Sequence, residues 1–120
     1  MALTMQRPVL TSPIFVIRET DSNATANNDV TATSATLYWV YIDNRANSAK
    51  SYLKLYNAAA PTVGTTAPDM ILPCNGNDDV DYSFPEGIAF ATAISFATVT
   101  TAGTAGVTGP TNDVSVTLVA

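Results

Sequence analysis

Short runs of alternating apolar and polar residues, separated by clusters of turn formers, dominate this chain, and no stripe of helical period reaches useful length. PIFVIRET, residues 13–20, is β-branched and aromatic and begins at a proline. DSNATANNDV, residues 21–30, consists of turn formers and reads as a loop. In SATLYWVYID, residues 34–43, apolar side chains fall on both faces: Leu37, Trp39 and Tyr41 on one, Tyr38, Val40 and Ile42 on the other. A strand of that kind is expected at the centre of a sheet, covered on both sides. After the turn NRANSAK, SYLKLYN directs Leu53 and Leu55 inward and Tyr52, Lys54 and Tyr56 outward. VSVTLVA sends Val114, Val116 and Leu118 inward.

The most regular pattern spans residues 88–98. Ile88, Phe90, Ile94 and Phe96 share one parity, interrupted only by Thr92; Ala89, Ala91, Ala93, Ser95 and Ala97 share the other. Period two over this length predicts one long strand despite alanine's helix propensity. Its large face would fill a core. Its alanine face suits close approach of another backbone layer, such as a neighbouring subunit, with a plain solvent face as the alternative.

Seven or eight short strands with near-regular turns predict an all-β fold: a single-domain antiparallel β-sandwich, jelly-roll-like, over residues 14–120. Residues 1–13 carry Pro8 and Pro13 and are expected to form an extended N-terminal arm. At about 3.3 Å per residue such an arm reaches roughly 40 Å.

Composition narrows the function. A length of 120 residues suits one domain. Five Lys plus Arg against ten Asp plus Glu, with no basic run, argue against a nucleic-acid partner. No stretch approaches the length of a membrane span, and the N-terminus lacks the apolar core of a secretory signal. Charged residues are only 12% of the chain, half the usual share, so part of the surface is expected to be covered in an assembly.

Catalytic chemistry has little to work with. The absence of histidine removes the commonest general base and metal ligand. Cys74 has no histidine partner and no second cysteine, so it reads as a small buried residue at a strand end. Asp78, Asp79 and Asp81, with Asn75 and Asn77, offer oxygens for a calcium ion, but the spacing misses the EF-hand pattern and suits an ordinary turn. No enzyme activity and no cofactor are expected. Tyr38, Trp39, Tyr41, Tyr52 and Tyr56 could instead form a sugar-stacking face, with core and interface packing as the alternative.

Five blocks in order, YIDNRAN from Tyr41, YLKLYNA from Tyr52, PTVGTTAPDMILP from Pro61, FPEGIAFATAISFA from Phe84 and GPTNDVSV from Gly109, resemble a group of small bacteriophage virion structural proteins. The resemblance covers about two-thirds of the chain. It implies a virion component at the capsid surface: a head decoration (cement) protein, partner of the major capsid protein and homotrimer by analogy with such proteins. A tail or fibre module of the virion and a host-glycan-binding sandwich are the alternatives. The interface candidates are Val9, Leu10, Ile14 and Phe15 for the arm, and Ala89, Ala91 and Ala93 for subunit packing.

Overall fold

The computed structural model describes Leu3 and residues 14–120. Val9, Leu10 and all but Leu3 of the expected arm lie outside the described residues. The described regular structure is all β: β1 (Val16–Ser22), β2 (Ala35–Asp43), β3 (Ser51–Asn57), β4 (Met70–Cys74), β5 (Asp79–Phe90), β6 (Ile94–Val99) and β7 (Val114–Val119). They form a four-stranded sheet, ordered β1-β7-β2-β5, and a three-stranded sheet, ordered β4-β3-β6. All of these pairings are antiparallel.

One hydrophobic cluster joins the two sheets. Leu37, Val40, Ile42, Phe90, Val116 and Leu118 from the larger sheet meet Leu53, Leu55, Leu72, Ile94 and Phe96 from the smaller. Each fully buried Leu, Ile or Phe contributes about 1.5–3 kcal/mol relative to exposure. Alternation on β3 and β7 sends inward the residues that the sequence marks.

Residues 88–98 do not form one strand. Phe90 ends β5 in the larger sheet and Ile94 begins β6 in the smaller, with a bend at Ala91 and Thr92. The Asn57 side chain pins that bend by accepting from the Thr92 amide at 2.8 Å. Because the bend preserves the inward direction of Phe90 and Ile94, the period-two signal passes through it unbroken. The alanine face is therefore not formed. Ala89 is exposed beside Thr36, Ala91 is exposed in the bend, and Ala93 is buried.

Strand β2 is central, as expected, but it is not covered on both sides. Its register with β5 shifts between Leu37 and Trp39. The shift puts Leu37, Val40 and Ile42 in the core and leaves Tyr38 exposed and Trp39 and Tyr41 half-buried. On β5 the shift coincides with Pro85, Glu86 and Gly87. Gly87 has φ +77°, and a Cβ there would lie 2.3 Å from Thr36 Cγ2 and 3.0 Å from Tyr38 Cε1. Only glycine lets the strand pass so close over Tyr38.

The loop at residues 23–30 continues the smaller sheet. Asn27 and Phe96 exchange backbone hydrogen bonds of 2.8 and 3.1 Å, and the Thr98 and Val30 amides donate to Asn23 and Ile94 carbonyls at 2.9 Å each. Glu19 ties β1 to this segment by accepting from the Asp21 amide at 3.0 Å and Asn27 Nδ2 at 2.7 Å. Those bonds, the Asp21 one foremost, hold its carboxyl below the usual range.

A buried asparagine fixes one end of the fold. Asn44 Nδ2 donates to the carbonyls of Ala49 (2.9 Å), Asn75 (3.1 Å) and Cys74 (3.3 Å), while Oδ1 accepts from Asn47 Nδ2 and Ser51 Oγ at 3.0 Å each. Asn47 passes the link to Asn112, donating to its carbonyl at 3.0 Å and accepting from its amide at 2.7 Å. Three connections are thereby held together by satisfied polar groups, as burial demands.

Candidate functional site

Three surfaces bear on function: the outer face of each sheet and the free edge at β1. On the smaller sheet, Lys54 and Tyr56 point outward from β3, yet both are 0% exposed. Ser95 and Ala97, their partners across the β3–β6 pair, are also buried. Loops supply the cover. Lys54 Nζ donates to the Gly106 carbonyl at 2.8 Å and the Thr104 carbonyl at 3.3 Å. Ser95 Oγ donates to the Ala58 carbonyl and accepts from the Asp29 amide at 2.8 Å. The loops at residues 58–69 and 100–113 also touch, since a Cβ on Gly64 would lie 2.5 Å from Val107 Cγ1.

Burial has chemical consequences under this cover. It lowers the pKa of the Lys54 ammonium and raises that of the Tyr56 phenol. Among the described residues the Tyr56 hydroxyl has no hydrogen-bond partner. Neither group reaches solvent, so neither is open to an outside ligand; among the outward residues of β3 only Tyr52, half-buried with Lys50 Nζ 5.7 Å from its ring centroid, stays partly open.

The larger sheet keeps its outer face open. Trp39 and Tyr41 stand two residues apart on β2, with ring planes within 9° and centroids 5.9 Å apart. Both lean diagonally over β5: Trp39 Nε1 donates to Asp81 Oδ2 at 3.0 Å, and Tyr41 Oη to Asp79 Oδ2 at 2.7 Å. The bond to Asp79 is the main reason the Tyr41 phenol titrates above its ordinary range. Asp43, next along β2, is already paired with Arg45 at 2.8 Å. That pair holds the Asp43 carboxyl low and the Arg45 guanidinium high.

The acidic turn does not gather into a cation cage. Asp79 and Asp81 serve the aromatic pair, while Asp78 Oδ1 accepts from the Asp79 amide at 2.8 Å. Among the described residues no group of three or more His, Cys, Asp or Glu converges. Cys74 is buried at the end of β4, and desolvation pushes its thiol up to about 11. A thiol so protonated is a poor nucleophile at neutral pH.

The third surface is the edge at β1. Phe15 and Ala120 exchange backbone bonds of 2.6 and 3.0 Å, which turns the Phe15 backbone groups toward β7. By antiparallel alternation, the backbone groups of Val16 and Arg18 then face away, toward the side where no described strand pairs. Ile14 (47% exposed), Phe15 (53%) and Val16 (66%) are large apolar residues at this edge. The other sheet edges carry guards of the usual kinds. Strand β5 has Pro85 and acidic side chains, β4 has Pro73, and residues 23–30 cover β6.

The sequence names Ile14 and Phe15 for the arm contact, and they lie exposed at the β1 edge; it names Ala89, Ala91 and Ala93 for one face, and the structure scatters them. It marks the Trp39–Tyr41 stripe without its carboxylate partners, and misses the closed cover over Lys54 and Tyr56. Comparisons with protein-family models, curated proteins and solved structures returned no match.

Proposed function

We propose that this protein is a virion structural component, a capsid decoration protein that bridges neighbouring major capsid subunits at the head surface. The observation that carries the reading is the strand order. With residues 23–30 counted as a short second strand, the described residues have eight. One sheet then runs first, eighth, third, sixth, and the other second, seventh, fourth, fifth. That order supports reading the fold as a jelly roll of two Greek keys, an architecture used by viral capsid and lectin domains. A fold alone hosts many functions. The resemblance of the five sequence blocks and the low charge content point to the virion.

The contact is placed at the β1 edge. A strand from a neighbouring subunit adds to the unpaired backbone groups of Val16 and Arg18, while Ile14, Phe15 and Val16 lose apolar surface. Residues 1–13, nearly all outside the described residues, precede this edge in the sequence and are proposed as the arm that reaches the neighbour. Three copies acting together, as a trimer, let each contact be weak.

The test is co-sedimentation of purified protein with empty heads, alongside its mass in solution. The full chain is expected to pellet at a saturating, lattice-like stoichiometry. Removing residues 1–12, or substituting Val16→Pro, is expected to weaken binding at least tenfold. The proline occupies a position whose amide faces away from β7, so the ladder inside the sheet survives. A full chain that stays in the supernatant defeats the reading.

A further inference from the structure

We infer that the open face of the larger sheet is a docking site for an arginine side chain of a protein partner, held by Trp39 and Tyr41 between the carboxylates of Asp79 and Asp81. The inference rests on the proposed docking role but concerns a surface separate from the β1 edge. The donor and acceptor inventory selects the ligand. The indole N–H of Trp39 and the hydroxyl proton of Tyr41 are already committed to Asp81 and Asp79. Among the described residues, Oδ1 of each of these aspartates accepts no hydrogen bond. The rim of the aromatic pair is therefore fixed, acceptor-only and anionic.

Such a rim fits a group that brings donors alone. A sugar hydroxyl brings both donor and acceptor and finds no free donor on these four side chains. A guanidinium brings five N–H donors in a plane, layers on aromatic faces and pairs with carboxylates in a fork. An ammonium carries charge but lacks the plane.

Charge on the face points the same way. Arg45 is spent on Asp43. Arg18 shares a cross-strand row with Thr117, Tyr41 and Asp81, three strands from the carboxylate. The two backbones are thus about 14 Å apart at the usual strand spacing, and among the described residues no salt bridge joins Arg18 to Asp81. Asp79 and Asp81 are exposed, and among the described residues neither makes a salt bridge, although the Arg45 guanidinium is near enough to Asp79 to feel its charge. The complement is a positive partner group, with Trp, Tyr and Arg the residue types that dominate interface energetics.

Trp39 is the only tryptophan, so its fluorescence reports this site alone. The probes are a tetra-arginine peptide, a tetra-lysine peptide and maltohexaose, titrated into the full chain at low salt and at 150 mM salt. Tetra-arginine is expected to change the emission saturably, at least tenfold more tightly than tetra-lysine, with affinity falling as salt rises. The Asp79→Asn/Asp81→Asn variant keeps an oxygen for each aromatic donor, and is expected to lose tetra-arginine binding at least tenfold with an unchanged melting temperature. No response to tetra-arginine, equal responses to both peptides, or saturation by maltohexaose alone overturns the inference. Head co-sedimentation separates the two proposals. Heads that bind wild type while tetra-arginine fails leave the decoration reading standing without this site; peptide binding without head binding does the reverse.

Discussion

Tyr41 on β2 and Tyr56 on β3 both stand on the outer face of a sheet, yet their hydroxyls meet opposite fates. Tyr41 donates to an exposed carboxylate, whereas Tyr56 is sealed beneath loops with no partner. The strands alone do not explain this, because each carries a tyrosine on its outer face. The difference lies in the connections. Two long loops fold back over β3 and β6, and Lys54 fastens one of them through the Thr104 and Gly106 carbonyls. Over β2 no described loop does so. One face became interior and the other stayed available for recognition.

The comparison is broken most severely from the closed side. Tyr56→Ala empties a fully buried site and is expected to cost about 4 kcal/mol in chemical denaturation, in the range for large aromatic truncations. A loss below about 1 kcal/mol would mean that the loops do not close. Lys54→Met leaves two carbonyls without their charged donor, an expected loss of about 2 kcal/mol, with residues 100–113 becoming the first site of limited proteolysis.

The same lysine has a pH signature. Burial lowers its folded pKa, so between that value and the unfolded value the unfolded chain binds more protons and stability rises with pH. The stability gap between wild type and Lys54→Met is therefore expected to widen from pH 8 toward pH 10.5. A gap that narrows would show that Lys54 is not desolvated.

Tyr56→Phe removes only the unpartnered hydroxyl and is expected to stabilise the protein by about 1 kcal/mol. A destabilising effect would reveal a partner for that oxygen. The smallest effect belongs to the open face. Tyr41→Ala is expected to change stability by less than about 1 kcal/mol, since it truncates a half-exposed ring away from the core.

How far the sequence foretold this contrast varies by residue. Leu53, Leu55, Val116 and Leu118 were legible because antiparallel strands with one buried face write their periodicity plainly. Lys54 and Tyr56 also had the right direction, outward, but their burial depends on residues 58–69 and 100–113 meeting above them. No local pattern encodes such a meeting. The bend between β5 and β6 was hidden because Phe90 and Ile94 serve the same core from different sheets; Thr92, the single break in the apolar parity, marked it. At Tyr38 and Trp39 nothing in β2 itself marked the register shift, since neighbouring aromatics satisfy either parity. The carboxylate partners of Trp39 and Tyr41 lie some forty residues away, and only strand register brings them near.

The pairing of β1 has a consequence in time. Among the described residues its one strand neighbour is β7, the last described strand, so the larger sheet cannot acquire β1 until residues 114–119 have been made. At a synthesis rate of about 5–20 residues per second, the first strand waits roughly 5–20 seconds for its partner. During that interval its apolar residues are exposed on both edges. Distant pairing of this kind also slows refolding, into the millisecond-to-second range of β-rich domains. The strand proposed to bind a neighbour in the assembled state is thus the one that must remain unpaired longest while the protein is made.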